Sequence, residues 1–169
     1  MTVPLPVVLG HEFVSDVVKI GSEVTKVKVG DRVVAEHVIG CGTCFYCLQG
    51  KRNLCKTPTV IGLHRQGALA EYLAVPQELV YMLPEEFSYD KGVLVEPFSI
   101  AVYAVRNTQV RVGDTVAVVG QGPIGLLVYQ VVKSAGATVF GFDSHKSRLQ
   151  FAKNHKYIFQ GRYYQRWVS

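Results

Sequence analysis

Across residues 7–36, the apolar positions are mostly Val and Ile, set among polar residues and Thr and interrupted by Gly21-Ser22 and Gly30-Asp31. Short β-branched runs cut by glycine turns predict antiparallel strands, hence a small β-rich unit. From 40 to 55 neither a period of 2 nor one of 3.6 survives, and every cysteine of the chain stands there. That segment reads as a loop held by something other than an apolar core. Strand-like text resumes over 67–76. Beyond Leu83-Pro84 the spacing turns helical over 89–106, with Pro97 near a helix start, where its missing N–H is harmless. Residues 110–119 read as a strand, 123–135 as a helix closed by Gly136, and 138–142 as a second strand. Strand, helix, strand is one βαβ unit, which needs a parallel sheet covered by helices, so the fold class expected is α/β with a β-rich part.

Composition narrows the classes. The 169 residues are 49% hydrophobic and 11% aromatic, enough to bury a core. No run approaches the 18 or so apolar residues that a membrane span needs, and the first twenty residues lack a secretory pattern, so a cytoplasmic protein is expected. The formal charge of +5 points at first to nucleic acid. Residues 1–143, however, hold twelve Lys and Arg against thirteen Asp and Glu, whereas 144–169 hold six against none. The excess sits in Lys146, Arg148, Lys153, Lys156, Arg162 and Arg166, and a solvated end explains it better than a nucleic-acid surface. The pair Val27-Lys28-Val29-Gly30-Asp31 and Val110-Arg111-Val112-Gly113-Asp114 resembles a repeat, but the likeness stops there, and a shared Gly-Asp turn suffices.

Cys41, Cys44, Cys47 and Cys55 are spaced x2, x2 and x7, so four thiolates fall within fifteen residues beside Gly40, Gly42 and Gly50. Four soft ligands suit a tetrahedral zinc ion whose shell is closed, which makes the expected role structural. An iron–sulfur cluster of the bacterial ferredoxin type would continue with x3-Cys-Pro, a pattern absent here. Disulfides fit poorly with clustered cysteines in an intracellular chain.

Gly120-Gln121-Gly122-Pro123-Ile124-Gly125 follows the first strand of the βαβ unit and opens its helix. In that context Gly120 makes the turn, Gly122 lets backbone approach a pyrophosphate, and Gly125 lets helix pack on strand, with Pro123 and Ile124 completing the loop. Asp143, 18 residues beyond Gly125, stands where a carboxylate accepts the two ribose hydroxyls, which favours NAD over NADP; Lys146 and Arg148 lie close by. The competing reading is a helix merely packed on a sheet, with Asp143 capping the next helix.

Gly10-His11-Glu12, Val29-Gly30-Asp31-Arg32-Val33, the cysteine lobe, Glu96-Pro97 and the glycine loop occur in this order. Together they resemble the zinc-dependent medium-chain alcohol dehydrogenases, closest to the polyol branch of sorbitol, xylitol and butanediol dehydrogenases, over about residues 4–152. The resemblance implies an incomplete GroES-like catalytic domain over 1–95, with its zinc lobe at 40–55. The start of an NAD-binding Rossmann domain over 96–154 and a divergent basic tail over 155–169 follow. It also implies a catalytic zinc ion bound by His11 and Glu96, with Glu12 as a supporting or exchangeable ligand, and Arg148 beside the cofactor. The family's further cysteine ligand, upstream of the histidine motif, has no counterpart here, so that zinc site is expected to be incomplete. Ser15 replaces a usual glycine. The implied activity is hydride transfer from a polyol or other secondary alcohol to NAD, with a small-molecule substrate, no nucleic acid or membrane partner, and homo-oligomerisation left open. A non-catalytic zinc-binding fragment is the alternative.

Overall fold

The computed structural model describes residue 3, residues 5–154 and the backbone of 162–164. Much of the basic end named above, including Lys156 and Arg166, lies outside the described residues. The chain divides into two compact units, Met1–Glu96 and Pro97–Ser169. Among the described residues no helix is long and apolar enough to cross a membrane.

The first unit is β-rich, with strands shorter than the sequence predicts. Strands β1 (Ser15–Asp16) and β2 (Arg32–Ala35) precede β3 (Val38–Ile39), helix α1 (Phe45–Leu48), β4 (Thr59–Val60), β5 (Val80–Met82) and helix α2 (Tyr89–Gly92). Antiparallel pairing runs β1-β2-β5, with Val33 opposite Ser15 on one side and Met82 on the other. Val33, Ala35 and Val80 form the core of this sheet against Phe13, Val17, Val27 and Val75. A second antiparallel pair, β3-β4, sets Val38 opposite Val60. The expected strand over 67–76 is not formed. Its start is tied instead to the residues before His11, through Gly67 N to Val8 O, Ala68 N to Gly10 O and Leu69 N to Leu9 O, at 2.7–2.9 Å. The cysteine segment is less irregular than expected, since α1 and a 3-10 turn at Arg52–Leu54 lie inside it.

Three glycines let these segments cross. A Cβ at Gly62 would stand 2.4 Å from Gly10 O, and one at Gly67 would stand 2.4 Å from that oxygen and 2.5 Å from Gly62 Cα. Only residues without a side chain fit such an approach. The neighbour of Gly62, the fully buried Ile61, donates its N–H to His37 O at 3.0 Å. Residues 60–62 thus hold the chain before His11 on one side and His37 on the other.

The second unit holds most of helix α3 (Val95–Thr108), then β6 (Thr115–Val119), α4 (Pro123–Ser134), β7 (Thr138–Phe142), α5 (Lys146–Asn154) and β8 (Arg162–Tyr164). Its sheet is parallel in the order β6-β7-β8, with Val116 paired to Val139 and Phe140 to Arg162. Three points differ from the sequence reading. The basic end is not wholly irregular, because α5 buries Leu149 and Ala152, and the sheet has a third strand where only two were expected. Residues 110–114 form a turn before β6 rather than part of it: Asp114 Oδ2 accepts Arg111 N at 2.8 Å, as Asp31 Oδ2 accepts Lys28 N at 2.9 Å. The two similar pentapeptides are therefore two copies of one Gly-Asp turn. Val105, Val118, Tyr129, Val132, Ala137 and Val139 make the core.

Asp143, directly after β7, is 4% exposed and joins two parts of this unit. Its Oδ2 accepts Gln121 N at 2.7 Å and its Oδ1 accepts His145 N at 2.8 Å. The N–H groups of His145 and then Gln121, followed by the His145 ring and Arg148, hold its carboxyl down to about 2.

Gly62→Ala is expected to destabilise the chain by at least about 3 kcal/mol, because the clash is with backbone that cannot rotate away and Gly62 has φ +76. Urea unfolding of the purified chain checks this, and a change under about 1 kcal/mol would refute the rigid crossing. For Asp143 the folded pKa lies below the ordinary carboxylate value of about 4, so its contribution is complete above that pH and fades as pH falls toward about 2. Asp143→Asn should therefore lower Tm at neutral pH and approach the wild type as the pH is taken from 4 to 2. A Tm difference unchanged across that range would contradict the assignment.

Candidate functional site

The cysteine lobe is assembled by main-chain turns. Cys44 stands at the N-terminal cap of α1, Cys47 lies within it, and Cys55 follows the 3-10 turn. Cys41 Sγ and Cys47 Sγ are 4.0 Å apart and Cys44 Sγ and Cys55 Sγ 3.9 Å, with all four sulfurs within 4.8 Å of one another. Zinc–sulfur bonds of about 2.3 Å place the corners of a tetrahedron about 3.8 Å apart, so the cluster fits a structural zinc site. The N–H groups of Thr43 and Cys44 pull the Cys41 thiol down to about 5, while burial pushes Cys47 up to about 11. Backbone N–H groups, first that of Lys56, lower Cys44 as well. The turn's N–H groups thus favour the thiolate form at Cys41 and Cys44.

A second cluster lies in the same unit. His11, His37 and Glu96 each offer a donor atom within 4.8 Å of the others. His37 Nδ1 is 3.3 Å from Glu96 Oε1, and the two imidazoles lie 4.7 Å apart, centre to centre, tilted by 48°. Glu96 comes from the first turn of α3, His37 from the link between β2 and β3, and His11 from the crossing at Gly10. Burial pushes the His37 imidazole below its ordinary value, the Glu96 carboxylate opposing the shift, which favours the neutral ring that a metal ion can use. Glu12 is exposed and stands outside this cluster. Ser15 lies in β1 opposite Val33. Nothing in the local sequence marks His37: it belongs to no motif, and its place beside His11 follows from the backbone bond to Ile61.

In the second unit the glycine loop joins β6 to α4. Gly122 caps α4 with no side-chain bond, and Pro123 opens the helix. A Cβ at Gly120 or Gly122 would meet nothing within 4 Å, whereas one at Gly125 would stand 1.9 Å from Gly120 O. Gly125 is therefore packed, and the other two leave open room at a helix N-terminus, where N–H groups attract anions. A groove of about 560 Å³ runs beside them, lined by Val116, Val118, Gly120, Gly122, Ile124 and Val128 among others. Asp143 lies behind the loop rather than in it. Its oxygens already hold Gln121, His145 and, at 3.5 Å, Arg148 Nη1, so the contacts another donor could replace are those of the exposed His145 ring and of Arg148. Gln121, a position the motif leaves unspecified, is 1% exposed; its Nε2 donates to Val118 O and Gly120 O at 3.0 Å each.

The chain is similar to several known proteins. Sorbitol dehydrogenase of Bacillus subtilis is 37% identical over 155 residues, which cover 88% of this chain and 42% of the relative. The (R,R)-butanediol dehydrogenase of the same organism is 43% identical over 150 residues, 88% of this chain and 42% of the relative. The solved structure of an alcohol dehydrogenase of Escherichia coli CFT073 with NADH has a TM-score of 0.82 and 38% identity, covering 86% of this chain and 44% of that one. The chain thus spans less than half the length of the relatives it matches. The family model described as the alcohol dehydrogenase GroES-like domain matches residues 1–85, half of the 169, and the chain belongs to that family.

Proposed function

We propose that this chain carries the zinc-lobe part of a catalytic domain, over residues 1–95, and the start of a cofactor domain, over 96–154. The enzyme would move hydride from a polyol or other secondary alcohol to NAD. The observation that carries this reading is the glycine loop: Gly125 packed on Gly120 O while Gly120 and Gly122 face open space at the start of a 12-residue helix. Such bare backbone beside an apolar groove suits a dinucleotide pyrophosphate. The relatives named above are dehydrogenases of small alcohols, and one was solved with NADH.

In this reading the residues divide the work. The four cysteines fix the 40–55 lobe through a zinc ion and leave it no open position. His11 and Glu96 hold a second metal ion, which supplies Lewis-acid polarisation of the substrate hydroxyl. The main chain of Gly120–Gly122 and the first turn of α4 bind the pyrophosphate. Asp143 holds the loop in shape through Gln121 N and turns to the ribose when Arg148 or the His145 ring moves off it.

Gly122→Ala separates cofactor binding from folding, because Gly122 has no neighbour within 4 Å and its φ of −78 suits alanine. NADH affinity, followed by protein-to-cofactor fluorescence transfer, is expected to fall at least about tenfold with Tm unchanged. Absence of NADH binding by the folded wild type would remove the cofactor reading. A chain extended to the length of its relatives should reduce NAD with at least one polyol, diol or threonine. Zinc binding without any such turnover would favour the non-catalytic reading.

A further inference from the structure

We infer that His37 is a metal ligand, and that His11, His37 and Glu96 form a sulfur-free site for a divalent transition-metal ion, built wholly within residues 11–96. The inference does not require dehydrogenase activity. It rests on where three side chains stand and on how the backbone holds them.

The distances suit a metal ion. Bonds of about 2.0–2.2 Å from zinc to nitrogen and oxygen set neighbouring donors of a tetrahedron about 3.4 Å apart. His37 Nδ1 and Glu96 Oε1 are 3.3 Å apart, and the His11 donor lies within 4.8 Å of both. The surroundings suit it as well. The side chains of His37 and Glu96 are only 21% and 12% exposed, so a carboxylate and two imidazoles share a partly dry corner where a cation between them offsets the loss of water.

The third argument is mechanical. Ile61 N–H holds His37 O, and the next residue, Gly62, packs on Gly10 O, directly before His11. One short stretch of main chain therefore fixes the separation of the two histidines, whose rings lie 4.7 Å apart. Donors carried on rigid backbone bind a metal ion with less ordering cost than donors on mobile loops.

The ligand set has chemical consequences. Two neutral imidazoles and one carboxylate leave a bound divalent ion with a net charge of +1 and a fourth position free for an oxygen ligand. A set containing a thiolate as well would cancel that charge. Without sulfur the site also accepts harder ions than the cysteine lobe does.

Cobalt separates the two sites in one experiment. The purified full chain is stripped with a chelator, titrated with Co2+ alone, and read by native mass spectrometry and absorption. Two cobalt ions per chain are expected. One gives the thiolate-to-metal charge-transfer band of the cysteine lobe, and the other gives only visible ligand-field bands. His37→Ala and Glu96→Gln should each weaken the second ion at least about 100-fold while the charge-transfer band persists, which also reports that the lobe remains folded. Only one cobalt in the wild type, or two bound equally well in His37→Ala, would overturn the inference. Imidazole NMR guards against a variant that misfolds: in the wild type the second equivalent of Co2+ should shift the His37 ring signals paramagnetically, and unshifted signals would overturn it too. Neither readout involves NAD or turnover, so failure here and failure of the dehydrogenase reading remain distinguishable.

Discussion

Main chain lying directly on main chain is the constraint from which both candidate sites follow. In the first unit Gly62 and Gly67 press against Gly10 O, which also accepts Ala68 N. In the second, Gly125 presses against Gly120 O. A side chain at the packed positions would force the backbones apart by more than an ångström and move whatever they carry. What they carry is His11 in one case and the start of α4 in the other. Donor positions are thereby set when the chain folds rather than by ordering long side chains on binding, so less of the binding free energy is lost to entropy.

The cysteine lobe is held by a different force. It has little apolar core, since Cys41 is exposed and α1 buries no residue. The four sulfurs stand within 4.8 Å of one another, and their surroundings act in opposite senses: the turn pulls Cys41 down to about 5, and burial pushes Cys47 up to about 11. A divalent cation resolves that conflict, and structural zinc contributes on the order of 10 kcal/mol in small peptides. Zinc in this lobe thus does what burial does for Val33, Ala35 and Val80 in the neighbouring sheet.

The parts of this architecture that were legible in the sequence are those whose determinants lie close together along the chain. Cysteine spacing encodes the lobe because ligands two residues apart can wrap one ion without help from elsewhere. The βαβ unit was legible because periodicity and the glycine loop are both local. Residues 67–76 looked like a strand on composition, yet their partner is the irregular segment 8–10, and a partner's geometry is not written in the strand's own residues. His37 was illegible for the same reason, since its proximity to His11 is a product of Ile61 and Gly62, more than twenty residues away. In the basic end, positive charge masked Leu149 and Ala152, two apolar positions three residues apart that are enough to seat α5.

Asp143 shows why a structural and a functional reading of one residue need not compete. Its carboxylate is the support of the glycine loop through Gln121 N and of the turn before α5 through His145 N, and both bonds use backbone donors that cannot leave. The remaining acceptor capacity is held by a half-exposed Arg148 at 3.5 Å and by the exposed His145 ring at 3.2 Å, contacts that water and screening make weak. Under the proposed function a ribose would offer neutral hydroxyl donors at the same oxygens, and exchanging one set for the other would leave the loop's support intact. Because the backbone bonds hold the carboxyl near 2, it stays an anion and therefore an acceptor throughout the exchange. The bonds that fold the loop are thus also the ones that keep its acid an acceptor.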